Sequence, residues 1–570
     1  MKIDKINNLL ELFYYQYQKQ KKTNIFLESL KEQKNYSWED VYLKTIKLSK
    51  EISKYINKGD RCLLISENRP EWMISDLSIM LSEGITVPAY TTYMERDYEY
   101  IIDDCTPSII LISNYDQYNK IKDLIPKKKF IRKIIIFDST EESIKDSIDD
   151  ISLDLESIFK NKDYEIFNFL DLKIQRTDPA CIIYTSGTQG NPKGVILSHG
   201  GILNNCEGSY ELLKTIISKK TSFLTWLPLS HSYEHTVQFV QIAAGAKVFY
   251  AESIEKLIKN MNDCCPEIMT AVPRFYQNLY HKINMTFNNT TGLKKTLIDQ
   301  TIILGKKKLL KKKLSIIENL KNLIVEKLVR KKIKKQFGGK LRAFVSGGGA
   351  LDREVGLLLN AIGLPTLQGY GLTEASPVVS CNPISDIRVE TVGQPFKGNV
   401  IKIADDGEIL IKGENVMLGY WNNEEETKKV LKDGWLRTGD IGEFDNNYLK
   451  ITDRKKDIII TPGGENISPV KIENDLMKLK FIEQVLVYGD NKPYLVSLIV
   501  VKQDQKNIKK EEIQGEIEKI NKNLSKMEKI KKFIIIYEQF TIENGMMTPT
   551  LKLKRYKIIK KYKMELEKMY

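Results

Sequence analysis

The stretch YTSGTQGNPKG, Tyr184 to Gly194, decides how the rest of this 570-residue chain is read. It follows an apolar, β-branched run, Ala180 to Ile183, that reads as a buried strand. Within eleven residues it offers three glycines, the hydroxyls of Thr185, Ser186 and Thr188, and the amine of Lys193. Such a loop turns backbone N–H groups and hydroxyls toward an anion while the lysine adds positive charge. The Walker A spacing G-x-x-x-x-G-K-[ST] is missing and Gly194 follows the lysine, so this is a phosphate-type loop of another kind. The alternative, a plain connecting turn, leaves so dense a set of anion-binding groups without a use.

Upstream of the loop, residues 1 to about 175 alternate strand and helix patterns. Arg61 to Ile65 reads as a strand, Trp72 to Leu81 as an apolar helix, and Gly84 to Ala89 and Ser108 to Ile112 as further strands. Downstream comes LPLSHSYEH, Leu227 to His235. Two histidines four apart invite a metal reading, but HSYEH is not HExxH and Pro228 breaks the approach to a regular helix face. That leaves His231 as a single mechanistic histidine, or as a histidine satisfied at a turn.

LRAFVS, Leu341 to Ser346, reads as a strand running into Gly347, Gly348 and Gly349. Asp352 stands at an N-cap position before an apolar helix that ends near Gly363. A second strand leads into QGYGLTE, Gln368 to Glu374. Two glycine-bearing turns thus follow successive strands of one β-α-β unit, where ligands gather at the carboxyl ends of the strands, and one nucleotide can touch both. From about 390 the pattern changes to short strands and turns: GEILIKG (Gly407 to Gly413), GWLRTGDIG (Gly434 to Gly442), TDRKKDIII (Thr452 to Ile460) and GGENISP (Gly463 to Pro469). Ser468 and Pro469 suit the cap and first turn of a helix. Strands at Gln484 to Tyr488 and Tyr494 to Val501 complete a small α+β domain with a lysine-rich tail.

A hydrophobic content of 42% and a charged content of 28% are those of a soluble globular protein. The first twenty residues lack the apolar core and small-residue site of a secretory signal, and no run approaches the ~20 apolar residues of a membrane span. Seven cysteines without CxxC or CxxH spacing indicate reduced thiols in a cytosol, and only four histidines weigh against zinc catalysis. The formal net charge of +14 suits an acidic partner such as a nucleotide, CoA or an anionic lipid surface. Lysine abounds throughout, however, so no nucleic-acid role is expected. Residues 294 to 335 are the most lysine-rich, with apolar positions at Leu310, Leu314, Ile317, Leu320, Ile324 and Leu328. These spacings fit an amphipathic helix packed on the body with its lysines in water; a basic surface resting on anionic membrane is the functional alternative.

Eight motifs now stand in the order of one family: YTSGTQGNPKG, LPLSH, SGGGALD, QGYGLTE, GWLRTGD, DRKKD, GGENISP and TPTLKLKR. The chain resembles the adenylate-forming enzymes, and within them bacterial long-chain fatty-acid–CoA ligases. The resemblance implies an α/β fold with a large N-terminal domain, 1–453, carrying the basic insertion at about 285–340. A small mobile α+β domain, 454–570, follows a hinge at Arg454–Lys456. It implies that a fatty-acid carboxylate attacks ATP, giving an acyl-adenylate and pyrophosphate, and that CoA then displaces AMP. ATP, Mg²⁺ and CoA are the implied cofactor and co-substrates. An acyl carrier protein is the alternative acceptor, a homodimer is an open partner state, and the location is cytoplasmic, with peripheral contact to the inner face of the membrane through 294–335.

By the family pattern, Thr185, Ser186, Gly187, Thr188 and Lys193 hold the β- and γ-phosphates, and Thr188 with Glu374 places Mg²⁺. Gly347, Gly348, Gly349 and Tyr370 enclose adenine, with Gly371 and Thr373 in the same turn. Asp440 takes the ribose hydroxyls with Arg454 beside it. Lys552 bridges the acyl carboxylate and α-phosphate, with Lys554 as a rival because Leu551 replaces the family's usual glycine. His231 stands beside the acyl carbonyl, Lys456 is the hinge, and Gly463 and Gly464 shape the pantetheine path. Gln189 departs from the usual Ser or Thr and puts one phosphate contact in doubt. The acyl pocket is expected between Thr236–Ala244, Val378 and Val379.

Overall fold

The strand Arg61–Ile65 carries apolar side chains on both faces, and Cys62 to Ile65 are fully buried, as a parallel strand covered on both sides requires. It lies in an eight-stranded sheet between the parallel strands Ile85–Ala89 and Ile109–Asn114. The computed structural model describes residues 3–139, 151–162, 164, 169–185, 192–218, 220–463, 465–548 and 550–570. In the same sheet Pro179–Thr185 runs parallel to 85–89, and Lys193–Ser198 returns antiparallel to it. Tyr184 and Gly194, the two ends of the opening stretch, are therefore partners across these two strands.

A nine-stranded sheet gathers strands from Ser222 to Pro395, with the early strands Ile25–Ser29 and Lys34–Ser37 at one edge. Its centre is a parallel ladder in the order Lys247–Tyr250, Ser222–Thr225, Ile268–Ala271, Ala343–Ser346 and Thr366–Gly371. The two glycine-turn strands are thus neighbours. Helix Ser232–Ala244 joins the two sheets, which explains why it is buried from Ser232 through Ala243. The Tyr233 hydroxyl donates to Val345 O at 3.1 Å in the nine-stranded sheet. Two residues on, about 200° round the helix, His235 Nε2 lies 2.8 Å from Asp76 of the buried helix Pro70–Leu81, and its Nδ1 lies 3.6 Å from Cys181 Sγ in the eight-stranded sheet. Burial of these polar groups is tolerable because they bond one another.

A five-stranded antiparallel sheet follows between Val400 and Arg454. Beyond it a smaller α+β domain folds around its own apolar cluster, with a sheet of Ile482–Tyr488, Leu495–Val501 and Ile530–Ile536. Pro469 starts the helix Pro469–Leu476 as expected, but Ser468 gives it no side-chain cap. Its side chain acts on the Asp453 carboxyl instead, countering the upward push of burial there.

The basic segment differs from its sequence reading. Instead of one helix packed by its apolar stripe, there are helices Gly292–Leu309 and Ile316–Val325, a π-turn Glu326–Arg330 and the short helix Lys331–Lys335. The first docks on helix Arg353–Ala361 so closely that a Cβ on Gly305 would lie 2.4 Å from Ala361 O. Arg330 ties the later part down, donating to Ala361 O at 2.8 Å and to Asn322 Oδ1 at 2.9 Å. With these anchors on the inner side, Leu310, Ile317, Leu320, Ile324 and Leu328 face water.

Candidate active site

The strand Ala343–Ser346 ends where Gly347 N–H donates to Ala271 O at 3.2 Å. A Cβ on Gly347 would meet the Tyr233 ring at 2.9 Å, so the backbone can pass the ring only as glycine. Gly348 has φ +79°, a conformation that costs glycine little. Asp352 then caps helix Arg353–Ala361, its Oδ1 accepting from Glu354 N–H at 2.8 Å and Val355 N–H at 3.2 Å. On the neighbouring strand, a Cβ on Gly371 would lie 1.9 Å from Pro377 O. Both turns are therefore close backbone approaches that leave room in front of them.

Across that room stands a bonded cluster. The Tyr370 hydroxyl donates to Asp440 Oδ2 at 2.7 Å, and Arg454 Nε lies 3.0 Å from Asp440 Oδ1. The Tyr420 hydroxyl donates to Glu374 Oε1 at 2.9 Å, and the Thr373 and Ser232 hydroxyls meet at 2.9 Å. Lys193 is ion-paired with Glu426, whose carboxyl is held down at about 2 by Lys193 and Lys429. Ser186, Gly187, Thr188, Gln189 and Gly464 lie outside the described residues.

One cavity of about 1930 Å³ is lined by Thr185, Lys193, His231, Gly347 to Gly349, Tyr370, Gly371, Thr373, Glu374, Asp440, Arg454, Lys456 and Lys552. Of the described residues assigned to nucleotide, acyl carboxylate, hinge and CoA, only Gly463 lies outside this lining, and it is exposed. Gly463 belongs to the turn of the small hairpin Ile459–Ile460/Asn466–Ile467.

Lys552 reaches the cavity from the small domain. It ends a tight turn in which Thr548 N–H donates to Lys552 O at 2.8 Å and Lys552 N–H to Thr548 Oγ1 at 3.0 Å. Leu551 is left-handed at φ +62°, which is why a glycine suits this position. The Lys552 Cε lies 3.9 Å from where a Gly348 Cβ would be. Its amine is pushed down to about 8 by burial among the cleft walls and then by Arg454. Lys552 is exposed to the water of the cleft, and the Arg454 guanidinium adds the repulsion of a second cation. Lys554 also borders the cavity, but its charged neighbours are Lys557, Asp97 and Arg96. Two ion pairs hold the small domain here, Arg274 with Glu483 and Lys478 with Asp352 at 3.3 Å.

His231 is the N-cap of helix Ser232–Ala244, and its Nδ1 accepts the Tyr233 N–H at 3.1 Å. Burial and the Lys552 charge push its pKa down to about 3, so the ring is neutral. With Nδ1 accepting, the proton sits on Nε2, leaving an N–H donor on the ring's other nitrogen. His235 points the other way, into the core, so the two histidines do not converge on one ligand.

The same cavity also has apolar lining from Val237, Val240, Phe223, Ile268, Val345 and Leu213. Val378 lines it as expected. Thr236 does not, because its hydroxyl donates to Ser376 O at 3.2 Å, and Val379 is fully buried outside the lining. Sequence reasoning missed Glu426, Tyr420, Tyr233 and the Arg274–Glu483 pair. Only the β-strand register, with Trp421 N–H donating to Gly194 O at 2.7 Å, brings the first two beside Lys193.

The donor set fits an adenosine nucleotide with magnesium. There is a carboxylate for a diol, a glycine cradle, and cations at both ends. Among the described residues no group of three or more His, Cys, Asp or Glu side chains could hold a metal alone. A single Glu374 carboxylate suits Mg²⁺, which is commonly held by one or two carboxylates and substrate phosphates.

The model of the AMP-binding enzymes matches residues 13–421, and that of the AMP-binding enzyme C-terminal domain matches 456–570. The chain belongs to the AMP-binding enzymes. Among relatives of this AMP-binding enzyme, the long-chain-fatty-acid–CoA ligase FadD15 of Mycobacterium bovis is 30% identical over 543 residues, covering 91% of this chain and 89% of that one. The adenylation domain of a carboxylate reductase from Mycobacterium chelonae shares the fold at a TM-score of 0.79 and 19% identity, covering 99% of this chain and 91% of that one. O-succinylbenzoate coenzyme A synthetase of Bacillus subtilis, solved with ATP and a magnesium ion, does so at 0.69 and 20% identity, covering 96% and 98%.

Proposed function

We propose that this AMP-binding enzyme is an ATP- and Mg²⁺-dependent ligase that activates a medium- or long-chain fatty acid as its adenylate and transfers the acyl group to CoA. The observation that carries this is the make-up of the cavity. Its lining joins a polar set, Lys552, His231 and the Asp440 cluster, to an apolar set, Val237, Val240, Phe223 and Ile268. That pairing of surfaces fits a carboxylate on a hydrocarbon chain, and the long-chain ligase relatives support the same substrate class.

In this reading two anions must meet, so preorganised charge supplies much of the catalysis. Lys552 is protonated at neutral pH and bridges the acyl carboxylate and the α-phosphate. The neutral His231 ring donates from Nε2 to a carboxylate or carbonyl oxygen without adding charge. Asp440 offers its remaining lone pairs to the ribose diol while Tyr370 and Arg454 fix its orientation. Gly347 to Gly349 pass under adenine. Thr185, Ser186, Gly187, Thr188 and Lys193 hold the outer phosphates, and Lys193 must exchange Glu426 for them. Thr188 and Glu374 would hold Mg²⁺, which neutralises phosphate charge when bound. For the second step the domain 454–570 turns about Lys456, breaks the Arg274–Glu483 and Lys478–Asp352 pairs and withdraws Lys552, while Gly463 and Gly464 help form the pantetheine path.

The test is fatty-acid-dependent pyrophosphate release across chain lengths, with no acceptor, CoA, or holo acyl carrier protein. Turnover stimulated by CoA supports the ligase. Stimulation by the carrier protein alone replaces the acceptor, and silence on every fatty acid rejects the substrate class. Lys456→Pro should spare the first step and impair the second; equal loss in both rejects that hinge. The protein is read as cytoplasmic, with peripheral contact to anionic membrane through 294–335; among the described residues no helix is long and apolar enough to cross a membrane. A homodimer is the assembly to look for by light scattering.

A further inference from the structure

The helix Ile316–Val325 is built the wrong way round for a helix at rest on a protein surface. Ile316 is 82% exposed, Ile317 66%, Leu320 60%, Leu323 66% and Ile324 50%. At a helical period these five side chains fill an arc of ~120°, and Val325, which is buried, lies on the opposite side. Leu328 and Leu310 extend the exposed apolar surface at 43% and 44%.

The helix is well formed rather than frayed. Ser315 and Glu318 make a reciprocal capping box, with Ser315 N–H donating to Glu318 at 2.9 Å and Glu318 N–H to Ser315 Oγ at 3.2 Å. Lys307 pairs with Glu318, and Arg330 holds Asn322 from the inner side. The apolar arc is therefore fixed toward solvent.

Charge selects what covers it. Residues 306–335 hold thirteen Lys or Arg against two Glu, most of the chain's formal excess of +14. Lys308, Lys312, Lys313, Lys321, Lys327, Lys331 and Lys332 are exposed around the apolar arc. A second copy would bring two such fields together and repel. A lipid surface with anionic headgroups meets both features at once, taking the aliphatic side chains at the headgroup boundary and the lysines on its charge. We infer that helix Ile316–Val325, with Leu310 and Leu328 beside it, is the docking surface of this protein for an anionic phospholipid bilayer. The inference narrows the peripheral contact of the proposed function to one helix face, and takes its purpose from that reading, since a fatty acid partitions into lipid.

The experiment uses the full chain without substrate, sedimented with vesicles of phosphatidylcholine alone or mixed with phosphatidylglycerol. Binding to the mixed vesicles at about 0.1 M salt, weakened at about 0.5 M, is expected because screening shortens the reach of the lysines. Ile317→Glu with Leu320→Glu and Ile324→Glu should cut that binding by about tenfold or more, as loss of the inserted face requires. Lys312→Glu with Lys313→Glu should weaken it separately, while leaving pyrophosphate release from a short, soluble fatty acid unchanged. Equal binding to neutral vesicles, no binding, an unchanged response in both variants, or burial of the face in a dimer would overturn the inference. Because vesicle binding is read without turnover, its failure is distinct from a failure to activate fatty acids.

Discussion

Removing the Lys552 charge tests the centre of the mechanism. Its amine is lowered from 10.5 to about 8 in the cleft. For a lysine the charged form is the protonated one, so the charge is present below that pKa and lost as pH rises through it. At a pKa of about 8 the protonated fraction falls from about nine-tenths at pH 7 to about one-tenth at pH 9. The kcat/KM for adenylation, which reports the free enzyme, should therefore fall near pH 8 with a tenfold loss per further unit. Bound anions favour the ammonium, so the limb in kcat should lie at higher pH. Lys552→Ala should lower adenylation by about 10²-fold or more, the scale of one preorganised charge stabiliser. Lys552→Arg, ionised throughout, should lose the limb near pH 8 while keeping part of the rate. The assay is pyrophosphate release in single turnover from pH 6.5 to 10, with the thioester step followed separately. Full adenylation by Lys552→Ala, or an unchanged alkaline limb in Lys552→Arg, refutes the reasoning.

Glu426→Gln should release Lys193 and lower the KM for ATP by up to about fivefold, since a partly exposed ion pair is worth about 0.2–1 kcal/mol; steady-state kinetics at varied ATP read it. Tyr370→Phe removes the donor to Asp440 and should raise that KM by about tenfold, the scale of a hydrogen bond to a charged group. Leu551→Val puts a β-branched residue at φ +62° and should cost about 1 kcal/mol, whereas Leu551→Gly should stay within about 1 kcal/mol of the parent in chemical denaturation, relief of strain offsetting added chain entropy.

The fold was legible where local chemistry and pattern agree. The apolar runs 61–65 and 180–183 are strands, Asp352 caps its helix, and the glycine turns follow adjacent parallel strands. What stayed hidden depends on contacts distant in sequence. The period at 310–328 locates an apolar stripe but not the side on which the body lies; Gly305 against Ala361 and Arg330 against Ala361 O decide that. The pairing of Lys193 with Glu426 comes from strand register across more than two hundred residues. In the acyl pocket, Val378 and Val379 alternate across one strand, so only one of them can face the chain.

His231 has two duties that a single substitution confounds. The ring that lines the cavity also closes the first turn of the helix joining both sheets. An alanine there removes a chemical group and unties a structural knot together, and the structural part alone is about 0.5–2 kcal/mol. Asparagine keeps an acceptor for the Tyr233 N–H while discarding the imidazole. The difference between the two variants therefore belongs to the scaffold, and the loss they share belongs to the reaction.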